Sequence, residues 1–127
     1  MRSEWVVLAD MQYLRGYCIL MADPLATSLN DLDEVSRSLF LTDMAKIGDA
    51  IRAVTGAYRI NYAVMGNSDP LLHAHIVPRY LEEPEEMLHN HPWAYPDEAV
   101  KDRMLDPSID MQLAQQLAVT ISQLRES

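Results

Sequence analysis

The chain carries four histidines, arranged as two His-x-His pairs, His73-Ala74-His75 and His89-Asn90-His91. An imidazole with a pKa near ~6.5 is largely neutral at pH 7, so it can serve as nucleophile, proton donor or acceptor, or metal ligand. What a spacing of two achieves depends on the backbone, because side chains two apart share a face only in an extended strand. The first pair lies in Leu71-Leu72-His73-Ala74-His75-Ile76-Val77-Pro78-Arg79, an apolar run that reads as a strand. There His73 and His75 share a face with Leu71 and Val77, and Leu72, Ala74 and Ile76 form an opposite, wholly apolar face. Two imidazoles so placed either face water or have chemical work to do. A strand His-x-His can also bite one metal ion, but it needs a third ligand, and Glu82 and Glu83 match no ligand spacing. The second pair sits in a proline-rich, acidic stretch where spacing fixes little geometry, and it reads as exposed loop histidines.

The elements that must position the first pair follow from patterning. Residues 4–10 predict a first strand, 16–21 a second, and 11–15 a turn between them. Pro24 and the segment 27–31 mark a loop ending in helix-capping residues. From about Asp31 to Thr55, Leu32, Val35, Leu39, Ile47, Ile51 and Val54 recur at helical spacing, and Gly56 is a natural stop. Residues 58–65 predict a third strand, and 66–70 have the composition of a turn leading into the histidine strand. Residues 82–107 hold Pro84, Pro92, Pro96 and Pro107 among many acids and read as an irregular, surface-hugging segment. In it, Glu82, Glu83, Glu85 and Glu86 read as a solvated charge run. Trp93 and Tyr95 are anchors, either to the domain or to a partner subunit. A last amphipathic helix spans about 108–125, with Ile109, Leu113, Leu117, Ile121 and Leu124 on one stripe. The sum is a single α+β domain over residues 1–127, an antiparallel sheet with helices on one face.

Bulk properties narrow the function classes. The 127 residues suffice for one sizeable core, and an apolar fraction of 49% suits an ordinary globular protein. No apolar run approaches a membrane span, and the single cysteine, Cys18, suits a reducing cytoplasm. A net charge of −9 argues against a nucleic-acid binder, whose affinity comes from clustered Lys and Arg. A small anionic ligand remains compatible, because backbone N–H groups and one or two positive side chains can hold it.

The stretch from Asn61 to Arg79 resembles the signature of the histidine-triad family, His-φ-His-φ-His-φ-φ with φ apolar, often followed by Pro-Arg. Pro78-Arg79 sets the register: Leu71 stands at the first triad position, His73 at the middle and His75 at the third. A register with His73 first and Val77 third misplaces Pro-Arg. The resemblance covers roughly residues 4–80, since Gly16 to Met21 looks like the family's second strand and the long helix lies between it and the histidines. It implies a histidine-triad-like sheet of about five antiparallel strands with a long helix and a C-terminal helix. It also implies a homodimer, no cofactor, and hydrolysis or transfer at the α-phosphate of a nucleotide phosphoramidate or dinucleoside polyphosphate. In that chemistry His73 attacks phosphorus to give a covalent nucleotidyl-histidine, and His75 stabilises developing charge. Asp10 would hold ribose hydroxyls, and Asn67 and Ser68 would meet the phosphate. Arg79 either faces that phosphate or pairs with an acid, and Asn61 either orients a site residue or makes a turn contact. The chain departs from the pattern at Leu71, and at Leu25, where relatives often carry a histidine after the second strand. Two further readings follow from those losses: a non-catalytic nucleotide-binding module, and a metal-binding protein using His73 and His75.

Overall fold

The computed structural model describes residues 4–22, 26–67 and 70–126. Four strands, β1 (Glu4–Leu8), β2 (Cys18–Ala22), β3 (Arg59–Ala63) and β4 (His73–Arg79), form one antiparallel sheet in the order β1-β2-β4-β3. Four strands stand where about five were expected. The region after β4 adds none among the described residues, because its prolines remove ladder donors and fix the backbone in turns. Instead of an irregular segment, it forms two short helices, α2 (Glu85–Leu88) and α3 (Asp97–Lys101), and a 3-10 turn at Pro92–Ala94. Pro84 and Pro96 immediately precede the two helices and Pro92 opens the turn, places where a missing N–H costs nothing.

The long helix α1 (Glu34–Thr55) starts three residues later than the periodicity suggests. Asp33 supplies the reason: its carboxylate accepts from the Ser36 N–H at 2.7 Å and caps the helix, while Leu29–Asp31 form a separate 3-10 turn. Gly56, with φ of 76°, ends the helix in the left-handed region where a Cβ is unfavourable. The C-terminal helix α4 (Pro107–Arg125) is capped by Asp106, whose side chain accepts from the Ser108 N–H. Both long helices lie on one face of the sheet. The core between the layers joins Leu20, Ala74 and Ile76 of the sheet to Phe40, Ile47 and Ile51 of α1 and Leu113, Leu117 and Ile121 of α4. No helix among the described residues is long and apolar enough to cross a membrane.

β4 buries Ala74 and Ile76 against the helices, together with Leu72 just before it, as the alternation predicts. Its other face is divided. His73 and His75 are half-buried, whereas Val77 and Arg79 are fully covered. The cover is a second apolar cluster of Ala9, Leu14, Tyr17 and Val77, with Tyr13, Tyr80 and Tyr95 packed on it.

Candidate active site

The register aligns His73 with Met21 and His75 with Ile19 and Ala63, so both imidazoles stand on the sheet face away from α1 and α4. Their rings meet edge to face with centroids 4.9 Å apart. Nδ1 of His73 lies 2.7 Å from the Leu71 carbonyl oxygen. A carbonyl only accepts, so Nδ1 carries the hydrogen and, in the neutral ring, Nε2 holds the lone pair. Nδ1 of His75 lies 2.7 Å from the Tyr17 hydroxyl, and the Trp93 ring stands edge-on to His75 at 5.2 Å. Burial, with the neighbouring His73 adding to it, lowers the His75 pKa from the ordinary 6.5.

Tyr17 was missed in the sequence, where it reads as one more strand residue. Its place depends on the turn before β2. The Gln12 side-chain amide is buried there, donating to the carbonyls of Ala9 and Tyr17, both at 2.9 Å, and accepting from the Gly16 N–H at 3.0 Å. Gly16 adopts φ of 100° with Thr55 and Ile51 side chains close to where a Cβ would lie. A signal did exist: residue 17 alternates onto the same face as Ile19, which pairs with His75.

Arg79 lies at the far end of β4 and belongs to another network. Its guanidinium meets both carboxylate oxygens of Glu83 and donates to Asn61 Oδ1 at 2.9 Å and to the carbonyls of Met87 and Asn90. The choice left open by the sequence is thereby settled for the acid partner, and Asn61 serves this network. Glu83 is not part of a solvated run, since it is enclosed and also accepts from the Tyr95 hydroxyl at 2.6 Å and the Tyr80 N–H at 2.7 Å. Burial pushes its pKa up, yet Arg79 and these donors outweigh that and hold the carboxyl below its usual range. Tyr13 donates to the Pro92 carbonyl and stacks edge-on with Tyr95, so the anchors bind the segment to its own domain.

The other predicted residues are dispersed. Asn67 is exposed in the loop leading to β4, and Ser68 and Leu25 lie outside the described residues. Asp10 is exposed just after β1, beyond the row formed by Leu8, Cys18 and Ile76, towards the Arg79 end of the sheet. His89 and His91 are exposed, and a cleft of about 460 Å³ lies between Asn61, Tyr62 and Ala63 on one side and His91 and Trp93 on the other. Among the described residues, no third His, Cys, Asp or Glu joins the histidines in a group able to hold a metal ion.

No protein-family model matches the chain, and no curated protein matches it by sequence. Solved structures do match. A histidine triad protein from Bradyrhizobium japonicum aligns with a TM-score of 0.74 at 23% identity, over 95% of this chain and 86% of that one. A histidine triad protein from Sinorhizobium meliloti gives 0.79 at 16% identity, over 93% and 83%. A hypothetical histidine triad nucleotide-binding protein from Sulfolobus tokodaii gives 0.73 at 14% identity, over 98% and 82%. Likeness at these identities is one of architecture, and in architecture this chain folds as the histidine-triad proteins do.

Proposed function

We propose that this chain is a nucleotide hydrolase or nucleotidyl transferase acting at the α-phosphate of a nucleotide phosphoramidate or dinucleoside polyphosphate, with His73 as nucleophile. The observation that carries the reading is the 2.7 Å contact of His73 Nδ1 with the Leu71 carbonyl, which leaves the Nε2 lone pair for attack. The Nε2–P bond forms as the P–O or P–N bond to the leaving group breaks, and the leaving group departs with the electron pair and takes a proton from solvent. Water then attacks phosphorus, the P–Nε2 bond breaks, and the nucleoside monophosphate is released. His75, one ring away, stabilises charge on the phosphoryl oxygens. Asn67, in the loop before β4, and Ser68 are assigned to the phosphate, and Asp10 to the ribose. The same reading carries a homodimer and needs no cofactor for the nucleophilic step.

The absence of an imidazole at Leu71 favours a second reading, a nucleotide-binding module without turnover. Intact-mass measurement after mixing with a nucleoside phosphoramidate separates the two. An adduct of nucleotidyl mass that disappears in His73→Ala supports the enzyme. Nucleotide-induced thermal stabilisation with neither adduct nor turnover supports the module.

A further inference from the structure

The Tyr17 hydroxyl belongs to the site although no histidine-triad motif residue lies near it in sequence; its partner His75 is 58 residues away. Tyr17 is fully buried just before β2, and its backbone is fixed on both sides: its N–H donates to the Leu14 carbonyl at 3.1 Å and its carbonyl accepts from the Ala9 N–H at 2.9 Å. A phenol has one hydrogen to give. Among the described residues, the buried hydroxyl has no acceptor within hydrogen-bond reach other than His75 Nδ1. Leaving a buried hydroxyl hydrogen without an acceptor is costly, so the phenolic hydrogen goes to His75 Nδ1. Burial pushes Tyr17 up to about 12, so the hydroxyl keeps its hydrogen at neutral pH. Burial also lowers His75, so its ring is neutral there. A neutral imidazole whose Nδ1 accepts carries its one hydrogen on Nε2. In His73 the arrangement is reversed, because Nδ1 donates to Leu71.

We propose that Tyr17 is a positioning residue that locks His75 in the Nε2–H tautomer, so that His73 presents a lone pair and His75 a donor to one phosphoryl group. The use of that asymmetry rests on the nucleotidyl-transfer reading, whereas the tautomer does not.

The test is a long-range ¹H–¹⁵N correlation spectrum of the ¹⁵N-labelled full chain at about pH 7.5, above the ordinary histidine pKa. His75 signals are assigned by their loss in His75→Gln. Expected in the unaltered chain is a protonated Nε2 and an unprotonated, hydrogen-bonded Nδ1. Expected in Tyr17→Phe is movement of both shifts towards the average of the two tautomers. Protonated Nδ1 in the unaltered chain overturns the proposal, as does an unchanged spectrum in a folded Tyr17→Phe. If Tyr17→Phe does not fold, the spectrum of the unaltered chain decides alone. On a phosphoramidate substrate, Tyr17→Phe should lower kcat about tenfold, the scale of one buried hydrogen bond, with KM within about twofold. A raised KM with unchanged kcat counts against it. No turnover in the unaltered chain would sink the nucleotidyl-transfer reading and leave the tautomer result standing.

Discussion

At the residue scale, the substitution that looks most damaging touches the side chain and not the group in use. In the histidine-triad register Leu71 stands where the pattern has a histidine, but His73 Nδ1 contacts the Leu71 main-chain carbonyl, which every residue supplies. The Leu71 side chain is 39% exposed and its loss opens no cavity in the core. Leu71→Ala should therefore retain adduct formation within about threefold, because the His73 tautomer is kept. On the mechanism proposed above, His73→Ala should abolish it, since removing a covalent nucleophile costs several orders of magnitude. Rates of nucleotidyl-adduct appearance by intact mass compare the two. Loss of the adduct in Leu71→Ala would mean that the side chain, and not the carbonyl, holds the ring.

At the element scale, β4 is one strand serving two ends. Its first half holds the histidines half-open, and its last residue, Arg79, pins residues 80–95 across the outer face. The guanidinium is 2% exposed and 2.9 Å from a nearly covered Glu83 carboxylate, so deleting it strands a buried charge and two carbonyls. Arg79→Ala should cost about 3–5 kcal/mol, the usual consequence of breaking a buried pair from one side. Arg79→Lys should recover only part, since an ammonium lacks the planar fork. Urea unfolding gives the free energies, and loss of the Trp93 environment shows in fluorescence; a cost below about 1 kcal/mol would place the pair among screened surface bridges. This network also marks where the sequence stopped being legible. The buried stripe of β4, the body of α1 and its stop at Gly56 follow from local period and chemistry, and so were readable. Glu83 looks identical to its acidic neighbours until the chain turns back and Arg79 selects it. Tyr17 looks like any strand aromatic until β2 pairs with β4. Such choices are made by tertiary contact: no local pattern marks Glu83, and only its alternation with Ile19 marks Tyr17.

At the scale of the whole molecule, the long helices pack on one sheet face, and the segment after β4 covers the other at its Arg79 end. The histidines lie at the boundary of that cover. The chain carries a net charge of −9, and three of its ten Lys and Arg are engaged in ion pairs among the described residues: Arg79 with Glu83, Arg103 with Asp110 and Arg125 with Asp43. On the function proposed above, an anionic nucleotide approaches a protein of net negative charge, the reverse of a phosphate binder built from basic clusters. Raising monovalent salt from about 20 to about 200 mM shortens the screening length from roughly 20 Å to roughly 7 Å and removes most of that long-range repulsion. The nucleotide Kd or KM should then fall by about two- to threefold, or at least not rise, when titrated at constant pH. An affinity that drops steeply with salt would mean that the phosphate is held by a cationic cluster, and His73 and His75 would no longer suffice as its recognition site.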